Sequence, residues 1–419
     1  MTSLRWLAIG FLSGTLLSAC GGGAVTPTTS SSLRTAAEAA AGYQQLYAFK
    51  GTPDGASPYS GLIAVNGLLY GTTLNGSKNY CSMSCGKSNC YLGCGTVFSV
   101  DSSGNEKVVY NFRGNFNNGR DGSWPFDSLI SLKGQLYGTT SSAGQHMHGT
   151  VFTVDTSGKE RVLYSFTGGN DADIPEAALT ARKGKLYGTS VYGGGNGCGG
   201  FGCGTVFWVD TTGKELVLYR FQGGSDGGRV YAGVTPLDHY LYGATLEGGS
   251  GCGSTGCGTI FKLTITGSMK TILHNFAGSD GAFPNGLIAV NGVLYGTTEG
   301  GGPKNSGTFF SITPSGAFKT IYNFTDIPDG NGPGANLIYA KGEFYGTTVG
   351  GGTAGNGTVF KVNAAGTETV LHSFLGGSDG SDPQGPVYLV GRKLYGTTTK
   401  GGGTGCGGGG CGTIFRVSR

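Results

Sequence analysis

One pentapeptide, Leu-Tyr-Gly-Thr-Thr, returns seven times with small changes. Its tyrosines are Tyr70, Tyr137, Tyr187, Tyr242, Tyr295, Tyr345 and Tyr395. Two further phrases keep step with it. Gly-Thr-Val-Phe, or a close variant, begins at Gly95, Gly149, Gly204, Gly258, Gly307, Gly357 and Gly412. A Tyr or His, one residue, then Phe ends at Phe49, Phe112, Phe166, Phe221, Phe276, Phe324 and Phe374. Self-similarity at a period of roughly 50 residues is the mark of a repeat architecture and overrides any domain count taken from length.

Each unit reads as four short strands. In the first, Gly61 to Val65 is apolar, and Asn66-Gly67 is a two-residue hairpin signal. Leu68 to Thr73, Gly95 to Val100 and Lys107 to Phe112 follow, the last two joined by Asp101 to Gly104. Runs such as Lys107 to Tyr110 lack strict alternation, which predicts strands buried on both faces. Four-stranded units of this size predict an all-β fold, a seven-bladed β-propeller. The ends of the repeat array support closure. The array opens with a lone fourth strand at 44–49 and closes at 412–417 with strands one to three, so the N-terminal strand is expected to complete the last blade.

Glycine supplies 86 residues without a strict triplet period, so collagen is excluded. A net charge of +4 without a basic cluster argues against nucleic acid as a partner. Arg5 followed by the apolar run Trp6 to Leu17 reads as an export signal, too short for a membrane span. Leu17-Ser18-Ala19-Cys20 resembles the lipobox of bacterial lipoproteins, which implies lipidation of Cys20 and cleavage before it. The expected division is a signal peptide at 1–19, a lipidated Cys and flexible tether at 20–42, and the propeller at 43–419. Gly21 after the Cys leans the expectation toward the outer membrane of a bacterial envelope, with the leaflet left open.

The ordered phrases Leu-Tyr-Gly-Thr-Thr, Gly-Gly, Gly-Thr-Val-Phe, aromatic-x-Phe and Asp-Gly resemble the GloVer-type tandem-repeat family of exported bacterial proteins over nearly all of 44–417. Members of that family are attached to the cell envelope by varied anchors. The resemblance carries over no catalytic residues. The unit also looks like a kelch blade, a likeness at the level of fold.

Ten cysteines remain beside Cys20. Cys198 and Cys203, Cys252 and Cys257, and Cys406 and Cys411 read as local disulfides of an exported protein. Two more bridges are expected among Cys81, Cys85, Cys90 and Cys94, where three connectivities are open. Zinc is disfavoured because the usual Cys-x2-Cys spacing is absent, and no metal or cofactor is expected. An Asp follows the fourth strand of every unit, at Asp54, Asp121, Asp171, Asp226, Asp280, Asp329 and Asp379. A residue kept in every unit is expected to shape a turn rather than bind a ligand. Residues that break the repeat say more about function. Glu247 and Glu299 could serve acid–base chemistry on a glycoside, but exposed loop carboxylates are usually only solvated. His146 and His148 share a loop without evident metal-binding partners. Arg120, Trp124, Arg229 and Tyr231 enrich the loops that join fourth to first strands, a composition suited to recognition.

The expectation is therefore a lipid-anchored monomer whose propeller binds protein or glycan on the face carrying the variable loops. A polysaccharide hydrolase or lyase and a structural envelope protein are the alternatives. No nucleophile elbow, P-loop or His-Glu-x-x-His is present, and no catalytic residue is assigned.

Overall fold

The computed structural model describes residues 42–419 apart from 80, 86–87, 92 and 116–119, and omits the side chains of 82–85 and 88–91. The expected signal peptide, Cys20 and all but the last residue of the expected tether lie outside the described residues. Seven antiparallel sheets form seven blades, the first six with their four blade strands in sequence order. Blade 1 runs through Ile63–Val65, Leu68–Thr73, Thr96–Val100 and Glu106–Asn111. The short first strands of neighbouring blades touch one another and form an inner ring.

The seventh blade draws on both ends of the array. Gln44–Ala48 pairs antiparallel with Thr413–Ser418, running from Gln44 opposite Arg416 to Ala48 opposite Thr413. Gly42 accepts the Ser418 N–H at 3.1 Å, and Tyr43 stacks on His372 at 3.8 Å. The ring is therefore closed by a strand far away in sequence, as the phase of the repeat implies.

Each repeated phrase has a local physical cause. Five of the seven hairpin turns are left-handed at both central residues, with φ of 51° and 82° at Asn66-Gly67 and 52° and 79° at Lys133-Gly134. This geometry matches the twist of the flanking strands. The middle Gly of Leu-Tyr-Gly-Thr-Thr is needed for close approach. A Cβ there would lie 2.5–2.8 Å from the Phe ring of Gly-Thr-Val-Phe, as at Gly71 against Phe98. The following hydroxyl pairs across the sheet at 2.7–2.9 Å in every blade, from Thr73 with Thr96 to Thr398 with Thr413.

Neighbouring blades are joined by rings. The Phe of aromatic-x-Phe meets the Phe of Gly-Thr-Val-Phe in the next blade edge to face. Phe49–Phe98 and its six counterparts have centroids 4.8–5.4 Å apart. Such pairs add about 0.5–1.5 kcal/mol each beyond their buried area.

Burial differs from expectation in one respect. Third strands are buried along their length, as at Thr96–Val100, but the fourth strands are not. In blade 1 the fourth strand is only half-buried and leaves Lys107 exposed. A fourth strand has no sheet neighbour on its outer edge and faces solvent there, so an apolar run alone does not make it interior.

Candidate functional site

The aspartate after each fourth strand belongs to the frame. It accepts from the Tyr hydroxyl or His Nε2 of its own aromatic-x-Phe phrase at 2.5–3.2 Å in all seven units. It also accepts the backbone N–H at the start of the loop, as Asp54 does from Lys50 and Asp329 from Thr325. Two phrases that looked separate in sequence thus hold one turn.

Four of these aspartates meet a glutamate at the start of the next blade's fourth strand. Burial, with the aspartate charge, pushes Glu106 up to about 8 and Glu160, Glu215 and Glu368 up to about 7. In the corresponding place Lys270 pairs with Asp226 at 2.5 Å.

Beyond the aspartate the loop follows one plan. The third residue after it is left-handed in every unit: Ser57, Trp124, Ile174, Arg229, Phe283, Gly332 and Asp382, with φ between 53° and 65°. That conformation is uncommon for any non-glycine residue and costly for a β-branched one such as Ile174. Backbone bonds hold it. Trp124 N–H donates to Cys94 O at 2.9 Å, and Trp124 O accepts from Ser141 N–H at 3.1 Å; Arg229 does the same with Cys203 and Leu246. Proline follows in six of the seven units, with Val230 as the exception.

The next residue faces the axis. Tyr59, Phe126, Glu176, Tyr231, Asn285, Gly334 and Gln384, one from each blade, line a single cavity of about 470 Å³. Asp127, Asn336 and Glu299 join them, the last from the end of the second strand Val293–Gly300. The cavity lies at the mouth of the inner ring, on the face that carries the cysteine loops. Its volume falls within the range of small-molecule sites, about 300–1,000 Å³.

Its chemistry is aromatic, amide and acidic. Tyr59 stacks on Phe126 at 4.8 Å. Glu176 is only 7% exposed and makes no hydrogen bond or ion pair, and burial pushes its carboxyl up to about 8. Burial, with the Asp382 charge, also raises Glu299. Asp127 is raised by burial even though it accepts from Ser128 and from Ala178 N–H at 2.8 Å. Burial raises the Tyr59 and Tyr231 hydroxyls, and the Glu176 carboxylate adds to this for both. Among the described residues no Lys, Arg or His lines the cavity.

The residues singled out from sequence fall in different places. Tyr231 lines the cavity, whereas Trp124 and Arg229 occupy the left-handed position beside it. Arg229 is held by Glu247 at 2.9 Å and lies over the Tyr192 ring at 4.5 Å. Arg120 is exposed and precedes the frame aspartate. His148 pairs with Asp173 at 2.9 Å. Among the described residues no three His, Cys, Asp or Glu side chains converge on a metal-sized site. Disulfides join Cys198–Cys203, Cys252–Cys257 and Cys406–Cys411, and Cys81 pairs with Cys94. The side chains of Cys85 and Cys90 lie outside the described residues. The sequence reading passed over Tyr59, Phe126, Glu176, Asn285 and Gln384. Their signal was one column, five residues after each aspartate, that varies while its neighbours are kept.

The Gloeobacter/Verrucomicrobia repeat matches residues 34–201, 197–341 and 286–419. No curated protein matches the chain. Among solved structures, the computationally designed Ika8 protein is 13% identical with a TM-score of 0.46, covering 90% of this chain and 100% of its own. An oligogalacturonate lyase in complex with manganese is 11% identical with a TM-score of 0.49, covering 77% and 82%. A putative 6-phosphogluconolactonase from Bacteroides uniformis is 14% identical with a TM-score of 0.47, covering 76% and 87%.

Proposed function

The chain belongs to the Gloeobacter/Verrucomicrobia repeat family, and we propose that it is an exported, lipid-anchored binding module whose axial cavity captures a group borne by a glycan or protein of the cell envelope. One observation carries this reading. The seven blades agree at the frame aspartate and at the hydroxyl pairs, yet bring Tyr, Phe, Glu, Tyr, Asn, Gly and Gln to one cavity. A position under structural demand alone would repeat as the frame does. Loops on a rigid scaffold are also where recognition usually resides. Cys20 is the proposed anchor, the bacterial outer membrane the proposed site, and the monomer the proposed state. Trp124 and Arg229 support the cavity from the neighbouring position, with Arg120 at its periphery.

The test uses the full-length chain in detergent, presented with envelope polysaccharides and envelope proteins. Tyr231→Ala and Gln384→Ala should each weaken capture at least tenfold, while Ser102→Ala and Thr211→Ala in the short turns should not. Loss of capture in the turn variants with full capture in the cavity variants would place the site on the opposite face. Cys20→Ser should remove lipid labelling and release the exported protein from membranes.

A hydrolytic reading draws on Glu176, a buried carboxyl kept protonated near neutrality and so able to donate a proton. Release of reducing ends that Glu176→Gln abolishes would favour it over binding alone. If no cavity variant alters any binding or activity, a structural envelope role remains.

A further inference from the structure

Resting on the binding reading above, we propose that the axial cavity recognises an unacetylated amino sugar within a glycan, with the ligand's ammonium group meeting Glu176. The Glu176 side chain is more than nine-tenths buried, lines the cavity and is engaged by no protein donor. A buried polar group without a partner is costly unless a ligand completes it. Tyr59 and Tyr231 line the same cavity as Glu176.

The rest of the lining narrows the ligand. Asp127 and Glu299 are also acidic, and among the described residues no cationic side chain lines the cavity. Arg229, two positions before Tyr231 in sequence, is already committed to Glu247 and the Tyr192 ring. Phosphates, sulfates and uronates would therefore meet carboxylates without a counter-charge. A chelated metal ion is disfavoured because the acidic groups do not converge. An ammonium group fits instead: it donates to a carboxylate and is attracted to aromatic faces. Burial holds Glu176 largely uncharged at neutral pH, and an ammonium beside it would restore the charged form.

The carrier of the amine is favoured to be a sugar rather than a lysine. The stacked Tyr59 and Phe126 offer an aromatic face for a pyranose ring. Asn336 adds an amide that can both donate to and accept from hydroxyls, while Asn285 and Gln384, whose amide N–H groups already donate to Pro333 O and Asp382 Oδ1, offer their carbonyl oxygens as acceptors. A flexible lysine stem would use the carboxyl and leave the aromatic face and the Asn336 amide without a match.

Calorimetry on the full-length chain at pH 7 tests this with four probes: β-1,4-glucosamine tetrasaccharide, its fully N-acetylated counterpart, cellotetraose and tetralysine. The glucosamine oligomer should bind at least about tenfold tighter than the other three, a difference of about 1.4 kcal/mol. Glu176→Gln should bring the glucosamine oligomer to parity with the acetylated one. Glu299→Gln should lower its affinity less. Melting curves of both variants establish that they fold, and Glu299→Gln keeps the test decisive if Glu176→Gln does not. Equal or tighter binding of the acetylated or glucose oligomer, unchanged by Glu176→Gln, overturns the amino-sugar assignment and leaves the binding module intact. Tetralysine binding as tightly as the sugar also overturns it, in favour of a peptide amine. Binding of any probe that is unaffected by Tyr231→Ala overturns the cavity itself, and the module reading with it.

Discussion

The frame aspartates and the axial ring lie five residues apart in every blade, yet obey opposite rules. At the aspartate, seven units carry the same side chain, each holding a Tyr or His and a backbone N–H of its own loop. At the ring, seven units carry Tyr, Phe, Glu, Tyr, Asn, Gly and Gln. The difference follows from where the partner is. A partner inside the same blade is reproduced with the blade, so selection for folding repeats it. A partner on the axis is shared by all blades at once, so each supplies a different wall of one surface.

The comparison can be broken or sharpened by experiment. The largest effect is expected from removing residues 43–49, which strips the fourth strand from blade 7 and leaves Thr413–Ser418 as an open edge. Thermal unfolding should lose its single cooperative transition or fall by more than 10 °C, and an unchanged melting curve would show that the strand is not a clasp. Next comes Asp329→Ala, which leaves the Tyr322 hydroxyl and Thr325 N–H without their acceptor. A loss of about 2–4 kcal/mol in denaturant unfolding is expected. A loss below about 0.5 kcal/mol would place Asp329 outside the frame.

A smaller effect should follow pH. Glu106, Glu160, Glu215 and Glu368 have folded pKa values of about 7–8, above their ordinary range. Groups raised in this way bind protons more tightly when folded, so their contribution is complete below about 4.5 and is lost as pH rises through 7–8. Melting temperature should therefore decline across that window from these groups, and Glu160→Gln should flatten the decline. A profile that rises through the same window in wild type, and is unaltered in the variant, would contradict the assignment. The smallest stability change is expected at the ring. Gln384→Ala should cost less than about 1 kcal/mol, because its side chain lines a cavity rather than filling the core. A cost like that of Asp329→Ala would erase the distinction between ring and frame.

Much of the frame was legible in sequence because its causes are local. The left-handed turns at Asn66-Gly67 and Lys133-Gly134, the three short-range cysteine pairs and the role of the aspartates each depend on a few neighbouring residues. Ring closure was legible from the phase of the repeat alone. The axial ring was not, for two reasons. Its members stand about 50 residues apart, and a column that changes in every repeat resembles drift. Attention went instead to the longer loops, which found Tyr231 and its supporting neighbours Trp124 and Arg229 but not Glu176 or Gln384. The fourth strands were misjudged for a related reason, since composition cannot tell the inner from the outer edge of a blade.

The direction of the closing strand sets an orientation for the whole molecule. Gln44–Ala48 runs from the face of the short turns toward the face of the cysteine loops, so Gly42, the first described residue, sits beside Ser418 on the short-turn side. A pull applied through the N-terminus would therefore act at the rim of blade 7 and on the side away from the cavity. The first described residues and the mouth of the cavity thus lie on opposite faces of the propeller.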